Sequence, residues 1–168
     1  MKFVDVSQDP WHSAGGEDAP VTHPRPAPHL LLDLKQWHAV RDHWPEGLAT
    51  GLSLDNDTDV ESLRDDLPRL SLITLRFPLW TDGRAYSQAR LLRARLRFSG
   101  EIRATGQVLV DMLPLLQRTG FDAVQLRADQ RLDSAQRALR FFAGHYQGDA
   151  VDARPPFARP SPLPAPGL

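Results

Sequence analysis

Five short apolar runs, each followed by a segment of helical periodicity, are the feature that most constrains the fold of this chain. The runs cover residues 29–33, 50–54, 72–77, 101–105 and 122–126. Strands that alternate with helices are typical of a parallel sheet with right-handed crossovers. We therefore predict an α/β fold with a mostly parallel five-stranded sheet and helices on both faces. Part of a β/α barrel fits the same pattern and stays open as an alternative.

The segments between these runs carry the apolar stripes of five predicted helices. These stripes comprise Trp37, Val40 and Trp44; Leu63 and Leu67; Ala85, Ala89, Leu92 and Leu96; Leu109, Met112, Leu113 and Leu116; and Leu132, Ala135, Leu139, Phe142 and Tyr146. Pro114 interrupts the fourth helix unless that helix begins near Asp111, which places Pro114 in its first turn. Gly120 is positioned to end this helix in the left-handed conformation.

Length and proline usage predict the domain organisation. A chain of 168 residues with 41% hydrophobic content is enough for one domain with its own core. Residues 1–28 are predicted to form a flexible N-terminal arm, because most of this segment is polar and broken by prolines. Residues 29–150 form the single α/β domain. Residues 151–168 are predicted to be a disordered tail, since six prolines there exclude a lasting helix or central strand.

Charge and residue usage exclude several classes of partner. Lys and Arg together number 20 and Asp and Glu number 21, so no global basic field draws in nucleic acid. No apolar run approaches the roughly 20 residues of a membrane span, and residues 1–6 turn acidic and polar before the apolar segment expected of a signal peptide develops. We expect a soluble, cytoplasmic protein with neither a nucleic-acid nor a membrane partner.

The sequence predicts neither a metal site nor a cofactor. Cysteine is absent, which excludes disulfides, thiolate metal ligands and cysteine nucleophiles. The six histidines form no recognisable ligand pair on one predicted element. No glycine-rich dinucleotide loop follows a predicted strand, so a nicotinamide cofactor has no support.

The junction between the third strand and its helix is the candidate site. Pro78 ends the strand, Asp82 and Gly83 form the turn, and either Thr81 or Asp82 is expected to cap a helix that opens with Arg84. Free N–H groups beside a guanidinium suit a small oxyanion such as sulfate, phosphate or a carboxylate. The predicted ligand-binding residues are Thr81, Asp82, Gly83, Arg84, Tyr86, Ser87, Arg90 and Arg103.

Other polar residues are expected at the same edge, because ligands of parallel α/β sheets bind at the carboxyl ends of the strands. They are Asp33, residues 55–57, residues 105–107, Arg127 and Asp129. In a competing interpretation Asp55, Asp59 and Asp82 are helix caps, while Trp80 and Tyr86 seal the sheet edge. Arg90, Arg93 and Arg97 are expected to form a positive ridge on the third helix, either solvated or open to an acidic partner.

Three segments, in order and correctly spaced, carry a family resemblance. They read Phe77-Pro78-x-x-Thr81-Asp82-Gly83-Arg84-x-Tyr86-Ser87-Gln88-Ala89-Arg90-Leu91-Leu92-Arg93, Gly100-Glu101-x-Arg103-Ala104-x-Gly106-x-Val108-Leu109 and Gly120-Phe121-Asp122-Ala123. They resemble a bacterial family of uncharacterised proteins, sometimes labelled oxidoreductases, whose genes often lie beside those for sulfite reductase and phosphoadenylyl-sulfate reductase. The chain departs from the family pattern at Gln107, Met112 and Thr119, where the family typically has an acidic residue, a glutamine and a cysteine.

The resemblance implies an accessory or regulatory protein of sulfate assimilation and sulfite reduction, binding a small oxyanion or a reductase partner. The alternative is a small enzyme acting on a sulfur-containing or phosphorylated metabolite, with Tyr86 as acid and Asp82 as base. A third interpretation is a structural protein that completes the sheet or barrel of another chain. No catalytic residue is assigned, and a homodimer stays open as the oligomeric state.

Overall fold

The computed structural model describes residues 1–15, 21–141, 148–150 and 154. The described residues form one sheet of seven strands, and every pair of neighbouring strands is parallel. The strands are β1 (Lys2–Phe3), β2 (His12–Ser13), β3 (Leu30–Asp33), β4 (Thr50–Leu54), β5 (Leu72–Phe77), β6 (Glu101–Gly106) and β7 (Ala123–Val124). Their order across the sheet is β1-β7-β6-β5-β4-β3-β2.

The sheet curls into a half-barrel, so the partial-barrel alternative is the form of α/β fold that fits. From β3 to β7 each strand pairs with its predecessor in the sequence. When sequential parallel strands are neighbours, right-handed crossovers place all the connecting segments on the same face of the sheet. The twist of the strands then bends the sheet into a curved shape. The sequence predicts five strands and the structure has seven. The two additional strands, β1 and β2, have two residues each and are too short to produce an apolar run.

Four α-helices lie within the described residues. They are α1 (Leu34–Val40), α2 (Arg84–Arg90), α3 (Leu113–Thr119) and α4 (Leu132–Phe141). Short 3₁₀ turns cover Arg41–His43, Val60–Leu63, Leu67–Arg69 and Val110–Met112, and a π turn over Leu91–Arg95 extends α2. Pro114 lies in the first turn of α3 and Gly120 ends that helix with φ of 105°, as the sequence predicts.

The second predicted helix is wrong, because the segment after β4 contains only the two 3₁₀ turns that end at Leu63 and Arg69. Pro68 lacks an N–H donor, and its ring would collide with the carbonyl of the residue four positions earlier in an α-helix. Of the fifth predicted stripe, Phe142 and Tyr146 lie outside the described residues, as does the predicted tail apart from Arg154.

Alternate strand residues separate the two faces of the sheet. Ile73, Leu75 and Phe77 of β5 belong to the main hydrophobic core with Leu92 of the helical layer. The residues between them on the strands point to the opposite side, which we call the inner face. That face carries Leu72 at the start of β5 and, further along the central strands, Ser53, Thr74, Arg76, Arg103 and Thr105. The inner face of this half-barrel is therefore unusually polar, since barrel interiors are normally filled by branched apolar side chains.

Both edges of the sheet come from the predicted N-terminal arm. Lys2 of β1 is in register with Ala123, and His12 of β2 is in register with Leu30 at the other edge. Residues 4–11, which we call the strap, therefore connect the two edges. The Trp11 ring lies on the inner face, where a Cβ added at Gly51 would be 2.9 Å from it. The domain boundaries themselves stay a prediction.

Within the described part of the chain, no helix has both the length and the apolar character needed to cross a membrane.

Alanine at Gly106 should cost more stability than alanine at Gly47. Both glycines have positive φ, +89° and +76°, so alanine at either site carries about 1–2 kcal/mol of strain. A Cβ at position 106 would also lie 2.5 Å from the backbone oxygen of Phe77, whereas position 47 has nothing within 4 Å. We expect the free energy of unfolding of Gly106→Ala to fall by about a further 1–3 kcal/mol relative to Gly47→Ala, as measured by urea unfolding. Equal losses would contradict the close approach of β5 and β6.

Candidate functional site

The loops that follow the strands meet along one edge of the sheet, which we call the rim. Asn56 Nδ2 donates a hydrogen bond of 2.7 Å to Asp82 Oδ2 and so joins the loops after β4 and β5. The backbone N–H of Gln107 donates to the Phe77 carbonyl at 2.8 Å. Arg127 Nη1 donates to Gln107 Oε1 at 3.0 Å and adds the loop after β7. The rim is thus a continuous polar border, as the parallel sheet predicts.

Helix α2 begins at Arg84, and its N-cap is Gly83 rather than Thr81 or Asp82. Asp82 nevertheless accepts a hydrogen bond from the first backbone N–H of the helix, because its Oδ1 lies 3.2 Å from the backbone nitrogen of Arg84. The guanidinium of Arg84 turns back onto the same carboxylate, with Nε 3.0 Å from Oδ1 and Nη2 2.7 Å from Oδ2. The predicted pairing of backbone donor and guanidinium is present, but an aspartate of the chain already binds both.

This ion pair controls the electrostatics of the rim. Hydrogen bonds from Arg84 lower the pKa of Asp82 from 3.8 to about 2, and Asp82 raises the pKa of Arg84 above its ordinary value. Both groups therefore stay ionised at neutral pH and together carry no net charge. An external anion at Arg84 has to compete with a carboxylate that is already bound there.

Tyr86 and Trp80 behave differently from each other. The Tyr86 ring packs edge-on against Phe77, with centroids 5.1 Å apart, and burial raises the pKa of its hydroxyl. Tyr86 thus closes the sheet edge, as the competing interpretation expects. Trp80 does not, because 57% of its surface is exposed, and the adjacent Leu79 is 61% exposed. Thr81, Gly83 and Ser87 are exposed around them.

The predicted arginine ridge on α2 is wrong at its centre. Arg93 is largely buried and donates to the carbonyls of Gly120 at 3.0 Å, Gly100 at 2.9 Å and Phe98. It also pairs with Asp122, which lies just before β7. The sequence has no acid between Gly83 and Gly100, but Asp122, which is distant in sequence, neutralises Arg93 at the centre of the ridge. Arg90 remains exposed beside it.

Arg103 lies away from the Asp82–Arg84 pair. It is 3% exposed on the inner face, where Nη2 donates to Glu101 Oε1 at 2.7 Å and Nη1 donates to Asp9 of the strap. The structure therefore brings Thr81 to Ser87 together at the rim but does not bring Arg103 to them.

Sequence reasoning missed Gln88, which fixes the geometry of the rim. Its buried Nε2 donates to the backbone carbonyls of Asp55 and Thr58, both at 2.9 Å, and so holds the loop after β4 against α2. The available signal is its place beside Ala85 and Ala89 on the apolar side of the helix, where a polar residue needs a buried partner.

Two open cavities lie along the rim near the carboxyl ends of the outer strands. One of about 310 Å³ lies between β1 and β7 and contacts Asp5, Arg127 and Gln130. The other, of about 320 Å³, is lined by Asp33, Ser53 and Asp55. Neither is lined by Asp82 or Tyr86. Among the residues that the structure describes, no group of three or more His, Asp or Glu side chains is placed to hold a metal ion.

Replacing Arg84 by glutamine should return the pKa of Asp82 from about 2 towards 3.8, because its main hydrogen-bond donor is lost. Because the pKa of Asp82 is lower in the folded protein than in the unfolded chain, the ion pair makes folding stability depend on pH. The pair stabilises the folded state above pH 3.8, and this stabilisation is lost as the pH falls towards 2. Carboxyl chemical shifts measured by NMR against pH test this. Asp129, whose pKa Arg127 lowers to about 2, is the internal control and should not change. An unchanged Asp82 in the variant would refute the pairing.

No curated protein matches the chain. The family described as "Bacterial protein of unknown function (DUF934)" matches residues 51–157, which include all of β4 except Thr50, β5 to β7 and all three segments that carry the resemblance. The match spans more than half of the 168 residues. The chain therefore belongs to this bacterial family of unknown function.

Proposed function

We propose that the protein is a non-catalytic accessory or regulatory protein of sulfate assimilation and sulfite reduction that docks on a reductase. The contact is the rim patch, defined as Leu79, Trp80, Asp82 and Arg84. One observation carries the proposal: Trp80 and Leu79 project into solvent directly beside a charge-neutral ion pair. The choice of partner rests on the resemblance, which implies gene neighbours for sulfite reductase and phosphoadenylyl-sulfate reductase.

The rim patch has the composition of a protein-binding hot spot. Tryptophan and arginine are enriched among the residues that dominate binding energy, and such residues are surrounded by contacts that exclude water. An exposed tryptophan next to an exposed leucine gains free energy when a partner covers both. Asp82 and Arg84 offer an acceptor and donors around this apolar centre, with the Arg84 side chain 58% exposed. A partner can therefore bury the centre and hydrogen-bond to its border.

The rigid support of the patch also favours docking. Residue 77 ends β5 in the core, and α2 begins at Arg84, so a six-residue loop holds the patch between two packed elements. The hydrogen bond from Asn56 to Asp82 attaches this loop to its neighbour. A preorganised loop loses less conformational entropy on binding than a mobile one.

A small oxyanion at Arg84 is the second form of the proposal, and the geometry supports it less. The anion has to displace Asp82 from both the guanidinium and the backbone N–H of Arg84. Calorimetric titration with sulfate, sulfite and adenosine phosphosulfate tests it, with Arg84→Ala as the matched variant. Binding that the variant loses supports this form, and no binding to either protein removes it.

The enzyme alternative has the least physical support. A general base works best with a pKa near the operating pH, and Asp82 is held at about 2. Tyr86 has a raised pKa and packs against Phe77, so it is a weak acid at neutral pH.

Trp80→Ala should weaken binding to the reductase about 30-fold, which corresponds to the roughly 2 kcal/mol of a hot-spot residue. Surface plasmon resonance with purified sulfite reductase and phosphoadenylyl-sulfate reductase from the same bacterium measures this. Leu79→Ala should also weaken binding. The matched control is Leu115→Ala, since Leu115 is 45% exposed and lies on α3, outside the loop and helix that form the rim patch.

Two outcomes would overturn docking at this patch. In the first, the unmodified protein binds neither reductase. In the second, a reductase binds but Trp80→Ala and Leu79→Ala bind it as tightly as Leu115→Ala does.

A further inference from the structure

Arg103 is a charged side chain on the inner face, where packing does not require one. It lies on β6 in register with Thr74 on one side and Ala123 on the other, and it is 3% exposed. Moving a guanidinium out of water is costly unless acids and hydrogen bonds compensate it. Glu101 supplies part of that compensation, because its Oε1 accepts from Arg103 Nε at 2.9 Å and from Nη2 at 2.7 Å. Lys2 also contacts Glu101, at 3.4 Å, so this acid is shared between two cations.

The remaining terminal nitrogen of Arg103 binds a carboxylate that is not part of the sheet. Nη1 donates to Asp9, which is 94 residues away in sequence and lies on the strap. Asp9 has little exposed side-chain surface, 11%, whereas Asp5, Val6, Ser7 and Gln8 before it are all exposed. The hydrogen bonds that Asp5 accepts come from Ser7 and Gln8 of the strap itself. Asp9 and Trp11 are thus the strap side chains that reach the inner face.

We propose that Asp9 is a resident carboxylate in an oxyanion subsite on Arg103, and that the strap covers this subsite. A guanidinium binds carboxylate, sulfate and phosphate oxygens through the same N–H groups, so Asp9 stands where an oxygen of a small external anion binds. Thr74 and Ser53 lie in the same register row of the inner face and place hydroxyl groups next to the subsite. An oxyanion binds when the strap moves away and removes Asp9. This subsite is separate from the rim patch and does not depend on the reductase proposal.

The strap is suited to such movement. It is held at its ends by the two-residue strands β1 and β2, and its middle carries local hydrogen bonds. Trp11 packs on the inner face at the end of the strap, whereas Asp5, Val6, Ser7 and Gln8 are exposed, and segments with few buried apolar contacts open at low free-energy cost. Binding of an oxyanion and opening of the strap are then linked, so each must favour the other to the same extent.

Sulfate titration of Asp9→Ala, with Asp5→Ala as the matched control, tests the subsite. Both variants lose one carboxylate from the same strap, but only Asp9 contacts Arg103. Isothermal calorimetry with sodium sulfate, at constant ionic strength set by sodium chloride, should show at least tenfold tighter binding to Asp9→Ala than to Asp5→Ala or the unmodified protein. Adding Arg103→Gln to Asp9→Ala should abolish the gain. Circular dichroism confirms that each variant is folded.

Asp9→Asn keeps the shape of the side chain and provides a second folded variant if Asp9→Ala is unstable. It should bind sulfate more tightly than Asp5→Asn does. Amide hydrogen exchange of residues 4–11 in the unmodified protein should also accelerate in saturating sulfate, because the anion displaces Asp9. The proposal is overturned if neither Asp9 variant gains affinity over its Asp5 counterpart, or if the gain survives Arg103→Gln.

Discussion

The order of the parallel strands is the constraint on which the rest of this structure depends. From β3 to β7 each strand pairs with its predecessor, so successive right-handed crossovers repeat the same rotation and the sheet curls. Every loop that follows a strand then lies on the rim, and among the described residues the helices pack on the face opposite the inner one. The first 13 residues supply both edge strands, which places the strap between them. The rim patch and the subsite on Arg103 both follow from this arrangement.

Arginine has two distinct roles in the fold. Arg93 and Arg69 donate to backbone carbonyls of other segments: Arg93 binds three of them, and Arg69 binds those of Arg41 and Trp44 in the turn after α1. At the rim, Arg84 and Arg127 each bind an aspartate two residues away. These local pairs cancel charge at the rim. The exposed apolar surface of Trp80 beside them has no such internal partner among the described residues. This contrast favours a protein partner over a free anion at the rim.

Local patterns were sufficient to predict most of the fold, and long-range contacts were not. The bounds of β4 and β5 agree with their apolar runs, and the Pro114 and Gly120 signals place α3 correctly. Edge strands of two residues carry no periodicity, so the strap had no signal. The Arg103–Asp9 pair spans 94 residues, and only the register of the sheet brings the two side chains together. From the sequence alone Arg93 resembles a surface residue, because the groups that accept its hydrogen bonds lie outside its own helix.

The central claim is that the rim, at the Leu79–Trp80 loop, is the surface that contacts a reductase. The chain has no cysteine, so a single introduced cysteine carries a photo-cross-linker at one defined position. The cross-linker is attached at Thr81→Cys, next to the rim patch, or at Gln117→Cys on α3, and both positions are exposed. After irradiation with purified sulfite reductase and phosphoadenylyl-sulfate reductase, mass spectrometry identifies the adducts. The account predicts a reductase adduct from position 81 and none from position 117; equal yields, or an adduct from position 117 alone, would contradict it.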